Sequence, residues 1–237
     1  TRWKNILMQQ YIYKRCMQFP DAAKKRIIDR VRDEMGPKYD VDTHFTPSYN
    51  PWDQRLCLVP DSDLFQALKS GAASVVTDHI ERFTADGILL KSGETLQADL
   101  IVTATGLTLQ FLSDVAFTID NELLKPSDAL SYKGMMLSDV PNMALSMGYT
   151  NASWTLKCDL TCDYVCRLLN YMDEHGYQKC MPHTADATLE REAYMGLTSG
   201  YIARAAGELP GQGLHPPWRL HQDYIKDIFM LRRGKLT

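Results

Sequence analysis

The segment from Asp99 to Gly106 has the composition of a strand that ends beside a bound ligand. It reads Asp-Leu-Ile-Val-Thr-Ala-Thr-Gly, and residues 100–103 favour a buried parallel strand. The small residues Ala104 and Gly106 allow a tight turn, because glycine has no Cβ to hold the backbone away from a ligand. We therefore expect a binding site at the carboxyl end of this strand.

Arg55 is the second candidate for chemistry, since a guanidinium keeps its charge at any working pH and presents a planar fork of donors. Such a group can stabilise an anion that forms during a reaction, which is often a large part of catalysis. The alternative is a structural arginine that pairs with a neighbouring carboxylate, and the residue types alone favour it. The carboxylates in reach along the chain are Asp53, Asp61 and Asp63.

A third candidate is the turn at residues 149–155, which leads into a helix predicted from Trp154 to His175. A helix N-terminus exposes free N–H groups and a partial positive charge, so it can hold the anionic edge of a ligand. Asn151 or Ser153 is expected to cap this helix, although an ordinary cap on a core helix needs no ligand. Trp154 is as compatible with core packing as with a ligand contact.

The cysteines do not form a metal site by their spacing. Cys158, Cys162 and Cys166 are four residues apart and share one helix face, but no loop is placed to complete the ligands around an ion. We interpret them as small apolar residues in a packed stripe. The six cysteines lack the dense spacing of a secreted disulfide scaffold, which indicates a reducing, cytoplasmic compartment.

Composition narrows the class of protein. The 237 residues contain 26 basic and 29 acidic side chains, a net charge of −3 that is too even to indicate a nucleic-acid-binding protein. A hydrophobic content of 45% with 23% charged residues is typical of a folded globular protein. No apolar run approaches the roughly 18 to 20 residues that a membrane span needs.

The elements that must position these candidates alternate between helices and strands. The first 35 residues predict two helices that break at Pro20, with Asp21 as the cap of the second. An antiparallel meander is predicted at residues 81–96, where two turns separate alternating segments. Buried strands are predicted at residues 56–59, 74–77, 99–106 and 144–147. A helix capped by Asp61 or Asp63 is predicted to run to Gly71. Later helices are predicted at about residues 154–175, 189–207 and 221–233.

Taken together, these motifs resemble the flavin-dependent Baeyer–Villiger monooxygenases, most closely the ethionamide-activating EthA-type group. The resemblance rests on residues 99–106 and on Arg55 within Tyr-Asn-Pro-Trp-Asp-Gln-Arg-Leu, and it covers nearly the whole chain. It implies an α/β fold, namely part of a flavoprotein with two dinucleotide-binding domains, a parallel sheet, an antiparallel meander and helical segments. The family's two Gly-x-Gly-x-x-Gly motifs, for FAD and NADPH, do not occur here, so we expect a C-terminal fragment.

The resemblance also implies domains and an activity. Residues 1–52 would be a helical insertion of the NADPH-binding domain, residues 53–106 the rest of that domain, and residues 107–237 the end of the FAD-binding domain. NADPH would reduce FAD, and the reduced flavin would add O2 to give a C4a-peroxide. This peroxide would oxidise a small-molecule substrate, either a ketone by Baeyer–Villiger chemistry or a sulfur atom.

The site residues follow from the same resemblance. Arg55 matches the catalytic arginine that stabilises the anions of the reaction, and Gln54 replaces a lysine that in many members holds the NADP phosphate. The turn at residues 149–155 would face the pyrimidine edge of flavin. The expected cofactor-binding residues are Gln54, Thr105, Gly106, Asn151, Ala152, Ser153 and Trp154.

A different class of function stays open. The chain could be a non-catalytic fragment or a binding module that needs a separate chain carrying the glycine-rich motifs. The isolated chain is then expected to bind no flavin, to be inactive, and to be open to homo-oligomer formation. No metal, nucleic acid or membrane span is expected.

Overall fold

The structure is a computed structural model that describes residues 1–57, 59–113, 115–184 and 189–236. The chain divides into two compact units. One consists of Thr1–Lys14 and Leu107–Thr237, and we call it the α5 unit after its longest helix. The other is Arg15–Gly106, which we call the meander unit.

The meander unit begins with helical structure, as the sequence predicts. Helix α1 (Arg2–Gln18) ends in it, and α2 (Pro20–Met35) follows directly. Pro20 stands at the first position of α2, where its fixed φ suits a helix and its missing N–H costs nothing. The predicted cap is wrong, because Asp21 lies inside the first turn and no side chain caps this helix. Two shorter helices are α3 (Val41–His44) and α4 (Asp63–Ser70).

The predicted antiparallel meander is confirmed. Strands β1 (Ile80–Thr84), β2 (Gly87–Leu90) and β3 (Thr95–Gln97) form one sheet in which each strand pairs with the next. Gly87 has a φ of +154°, and a Cβ there would overlap the Leu96 carbonyl, so a glycine is required at this close approach. Every pairing in this sheet is local in sequence.

The α5 unit is organised around helix α5 (Trp154–His175), which has the predicted bounds and ends at Gly176 in the left-handed conformation. Its apolar residues recur at every fourth position and so share one face. That face is buried in a core with α7 and its extension, including Leu160, Tyr164 and Leu231 at 0–1% exposure. The other elements are β4 (Thr118–Ile119), β5 (Glu122–Leu123), β6 (Ser131–Tyr132), β7 (Met136–Leu137), β8 (Arg191–Ala193), α6 (Gly200–Ala205), β9 (Gly211–Gly213), α7 (Tyr224–Ile228) and a wider helical turn (Phe229–Arg233).

The parallel sheet expected from the sequence is not formed by the described residues. Residues 74–77, 99–106 and 144–147 are coil, and so are the described members of 56–59, of which Leu58 lies outside the described residues. Leu100 and Val102 are 81% and 80% exposed rather than buried. A strand forms only beside a hydrogen-bonded neighbour, and the described sheets are small and antiparallel, with two or three strands each. The observed fold is therefore mixed α and β with small antiparallel sheets.

The last third of the chain departs from the predicted helices in one place. The helix predicted over 189–207 is in fact β8, coil and the short α6, while residues 185–188 lie outside the described residues. The final helical stretch is present, beginning at Tyr224 rather than at His221. None of the helices in the described ranges combines the length and apolarity needed to cross a bilayer.

Candidate functional site

Arg55 lies in the meander unit, directly after a turn closed by a bridge between Pro51 and Gln54. Its side chain is exposed, and Gln54 beside it is half-buried. Asp53, a carboxylate that could have paired with Arg55, accepts a hydrogen bond from the Asn50 N–H at 3.0 Å. Within the described part of the chain no ion pair involves Arg55. Its guanidinium therefore remains available to an anion.

Thr105 and Gly106 end the same unit. Both are exposed, and Gly106 has a φ of +115°, a backbone conformation that glycine adopts without strain. The chain bends at Thr105, and the strand that should lead into this bend is coil. A backbone without a Cβ at its surface is suited to close approach by a ligand.

In the α5 unit, the turn before helix α5 is clamped by two glutamines. The Asn151 side-chain amide donates to the Gln222 carbonyl at 2.9 Å, and the Asn151 carbonyl accepts from the Gln9 amide at 3.1 Å. The N–H and hydroxyl of Thr150 both donate to Oε1 of Gln222, at 3.0 and 3.2 Å. Asn151 is therefore a buried anchor of the turn and not the predicted cap of the helix.

The first turn of α5 is open. Ser153 stands at the capping position but makes no capping hydrogen bond, and its hydroxyl instead lies 2.8 Å from the Thr155 hydroxyl. The prediction of a capped helix is thus wrong, and no side chain of the described residues accepts from the first N–H groups. Ser153, Trp154 and Thr155 are exposed, while Ala152 packs against the core. A Cβ at Gly148 would overlap the Trp154 ring, so this glycine makes room for the indole.

These positions can be compared with what a flavin requires. An open first turn with a partial positive charge fits an anionic oxygen of a ring system. The space beside Gly148 is filled by Trp154, so a ring would have to meet the outer side of that indole. The structure thus gathers Asn151, Ala152, Ser153 and Trp154 in one turn, and Gln54 with Arg55 in another.

Sequence reasoning missed a buried ionic cluster that lies on the inner side of α5. Asp227 of α7 accepts hydrogen bonds through Oδ2 from the Lys157 ammonium at 2.8 Å and from the Tyr149 hydroxyl at 2.7 Å. Its second oxygen, Oδ1, is buried and has no partner among the described residues. Lys157 lies between Leu156 and Leu160 on the core-facing side of α5. A lysine on the apolar face of a helix needs a buried partner, and this was the sequence feature that could have revealed the cluster.

Burial governs the ionisation of this cluster. It lowers the pKa of Lys157, and the negative charge and hydrogen bond of Asp227 oppose that change. It raises the pKa of the Tyr149 hydroxyl, and the neighbouring Asp227 raises it further. His221 is also held neutral more readily, because burial lowers its pKa. The cluster therefore consists of one ion pair and a tyrosine that only donates.

The thiol stripe on α5 differs from the prediction. Cys158 is half-buried, but Cys162 and Cys166 are exposed, so the interpretation as a packed stripe is wrong. These positions lie opposite the buried face of the helix. Among the residues that the structure describes, no three His, Cys, Asp or Glu side chains are placed to hold a metal ion.

Known proteins similar to this chain are named as flavoproteins. This chain is 50% identical to the FAD-containing monooxygenase EthA of Mycobacterium tuberculosis over 236 residues. The aligned segment covers 100% of this chain and 48% of that protein. This chain is also 50% identical over 236 residues to AlmA of Acinetobacter baylyi, which is named a probable FAD-binding monooxygenase. That alignment covers 99% of this chain and 47% of AlmA. EthA of Mycolicibacterium smegmatis is 43% identical over 236 residues, covering 100% of this chain and 48% of that protein.

No protein-family profile and no solved structure matches the chain. The chain spans about half the length of the curated relatives it matches. The EthA-type resemblance seen in the residues is confirmed, and the matched part of the relatives is their C-terminal half. Over its whole length, this chain therefore corresponds to the C-terminal half of the FAD-containing monooxygenases of the EthA and AlmA kind.

Proposed function

We propose that this chain is the C-terminal part of a flavin-dependent monooxygenase that uses NADPH and O2. The substrate would be a small molecule, either a ketone that becomes an ester or a sulfur compound that becomes an oxide. The observation that carries this proposal is the 50% identity, over the entire chain, to a protein named as an FAD-containing monooxygenase. The activity is proposed for a protein that contains both halves.

Arg55 is the residue we propose for catalysis. Its guanidinium is exposed and has no ion pair in the described part of the chain, so its charge is not neutralised within the meander unit. Bound FAD would supply the activation of O2, which no amino-acid side chain provides. Arg55 would then stabilise negative charge on the substrate oxygen, an electrostatic contribution that is preorganised because the guanidinium is always charged.

The open first turn of α5 is the part of this chain proposed to meet the flavin ring. Its free N–H groups would favour negative charge on the pyrimidine edge of reduced FAD. The clamp formed by Gln222 and Gln9 fixes the turn, so the N–H groups would not need to reorganise. Gln54, Thr105 and Gly106 are proposed to contact the phosphates of the two nucleotides.

The remaining half is needed, in this proposal, for two reasons. Residues 99–106 are coil in which only Ile101 is half-buried, no strand of the described residues pairs with them, and the sequence has no glycine-rich turn to hold a pyrophosphate. The domain assignment stays as the resemblance implies, with residues 1–52 and 53–106 in the NADPH-binding domain and 107–237 in the FAD-binding domain. Neither nucleotide is then expected to bind this chain tightly by itself.

A hybrid enzyme tests the proposal. The matched half of Mycobacterium tuberculosis EthA is replaced by this chain, and bound FAD is measured by absorbance after desalting. The hybrid should retain FAD and give oxygenated product from a ketone or a sulfide with NADPH, whereas this chain alone should retain none. A folded hybrid that binds FAD and oxidises NADPH but oxygenates neither substrate would overturn the proposed function.

Arg55→Ala in that hybrid tests the catalytic assignment. Loss of a preorganised oxyanion donor costs about 10² to 10³ in rate, so product formation should fall by that factor while flavin reduction by NADPH continues. The matched control is Arg82→Ala, because Arg82 is another exposed arginine of the meander unit and pairs only with Glu81 on the surface. Unchanged product formation in Arg55→Ala would remove Arg55 from the mechanism.

A further inference from the structure

The α5 unit contains a cavity that the proposed function does not use. It is open to solvent on one side and has a volume of about 400 Å³, which is within the range of small-molecule sites. Its walls come from the second half of α5, from β6 and β7, and from residues 177–183. None of the candidate cofactor-binding residues lines it. The apolar walls are formed by Tyr132, Met136, Tyr164, Leu168 and Met172.

The cavity is built into the fold rather than left by a loose loop. Tyr164 and Met136 belong to the central core and are 1% and 4% exposed. The loop on the opposite side is held by a reciprocal pair of hydrogen bonds, from the Cys180 N–H to Oδ1 of Asn142 at 2.9 Å and from the Asn142 N–H to the Cys180 carbonyl at 2.8 Å. The Asp139 N–H adds a third bond, to the Pro182 carbonyl at 2.8 Å. Both walls are thus fixed before any ligand arrives.

Two cations, Lys133 and Arg167, lie near the wall residue Tyr164 without lining the cavity themselves. The buried Lys133 ammonium donates to the Tyr164 hydroxyl at 3.1 Å and lies 4.5 Å from the centre of that ring. Arg167 donates only to backbone carbonyls, those of Leu231 at 2.7 Å and Gly234 at 3.2 Å. In the described ranges neither cation forms an ion pair. Two basic side chains without an ion pair among the described residues thus lie close to Tyr164.

The lining that faces solvent adds one more free cation. Lys179 is exposed, lines the cavity and has no ion pair within the described residues. The Asp139 carboxylate lies 2.6 Å from Nδ1 of the lining residue His183 and so already has a polar partner. An anionic group beside Lys179 would meet the ammonium of that side chain. An apolar group would meet the methionine and leucine side chains of the walls.

We propose that this cavity binds an amphiphilic anion, a molecule with an alkyl or aromatic body and a single carboxylate. The body lies against Met136, Leu168 and Met172, and the carboxylate lies beside Lys179. This site is independent of the proposed monooxygenase function, because it lies within one unit and needs neither FAD nor the other half of the relatives.

Cys180 provides a direct readout, because its half-buried thiol lines the cavity. The full chain is treated with iodoacetamide at increasing concentrations of decanoate below micelle formation, and labelling at each cysteine is followed by mass spectrometry. Decanoate should protect Cys180, whereas the exposed Cys162 on the outer face of α5 should label at an unchanged rate. From octanoate to decanoate, the concentration for half protection should fall about fourfold per methylene, the factor expected for a buried CH2 group.

Charge and shape are tested separately. Lys179→Ala should weaken protection by decanoate about two- to fivefold, as loss of an exposed ion pair does, and Lys91→Ala in the meander unit should leave it unchanged. Met172→Trp should fill the cavity and abolish protection. Met181→Trp repeats this test from an exposed position that lines the same cavity, where a larger side chain has room to reach solvent.

Two results would overturn the inference. One is labelling of Cys180 that no carboxylate slows at any chain length. The other is equal protection by decanoate, decanol and decyltrimethylammonium with no effect of Lys179→Ala, which would mean that the cavity does not select an anion.

Discussion

Replacing Asp227 by asparagine tests the buried ionic cluster most directly. The side chains of Lys157 and Asp227 are 4% and 2% exposed, so the substitution removes the negative charge and leaves the ammonium buried. Its remaining acceptor outside position 227 would be the Lys133 carbonyl at 3.3 Å. Breaking a buried pair in this way costs about 3 to 5 kcal/mol. With a urea dependence of about 2 kcal/mol per molar, the unfolding midpoint should fall by about 1.5 to 2.5 M.

The assay is urea unfolding of the full chain followed by circular dichroism. The matched control is Asp163→Asn, which breaks the exposed pair between Asp163 of α5 and Arg232 and should cost less than about 1 kcal/mol. A triple variant, Tyr149→Phe with Lys157→Met and Asp227→Leu, replaces the whole cluster by apolar groups and should recover at least half of the loss. If Asp227→Asn costs no more than Asp163→Asn, the cluster does not support the fold as argued.

Two further perturbations are predicted from the same unit. Burial, together with the charge of Arg167, lowers the pKa of Lys133 from 10.5 to about 8, so the folded state binds fewer protons than the unfolded state between these pH values. The free energy of unfolding should therefore rise between pH 8 and 10 relative to that of Lys133→Met, and parallel pH profiles in urea titrations would contradict this. Gly148→Ala should displace the Trp154 indole, shift its fluorescence and cost about 1 to 3 kcal/mol, whereas Gly207→Ala, with open space at its Cβ, should be nearly silent. An unchanged emission spectrum in Gly148→Ala would refute the contact.

What the sequence predicted correctly is structure that is decided locally. Helix α5 has the predicted bounds because its apolar positions repeat at helical spacing and Gly176 ends it with a φ of +67°. The meander is present because each of its strands pairs with a neighbour only a few residues away. Neither needs information from a distant part of the chain.

What the sequence did not predict depends on partners that lie far away or are not among the described strands. The apolar, extended composition of residues 99–106 is suited to a buried strand, but Leu100 and Val102 are exposed, and none of the described strands pairs with them. The cap predicted at Asn151 failed because that side chain reaches Gln222, 71 residues later. Capping rules consider only residues that are close in sequence, so they do not include a hydrogen-bond partner as distant as Gln222.

The candidate site shows the same division. The positive φ of Gly106 follows from local chemistry, because glycine adopts this backbone conformation without strain. Whether Arg55 pairs with a carboxylate is a question of packing, and residue types alone favoured a pairing that the described residues do not form. The Lys157–Asp227 pair was missed because only Lys157 can be recognised from the sequence, as a lysine on the buried side of an amphipathic helix. The sequence does not identify Asp227 as its partner.

The distance along the chain between Lys157 and Asp227 also has a consequence for the timing of folding during synthesis. The two residues are 70 positions apart, so at about 5 to 20 residues per second the lysine leaves the ribosome roughly 4 to 14 s before its carboxylate. The meander, whose contacts are short-range, can form well before that. During this interval α5 holds an unpaired ammonium on its apolar face, which disfavours early burial of that face. The core of the α5 unit is thus expected to close late, when α7 arrives.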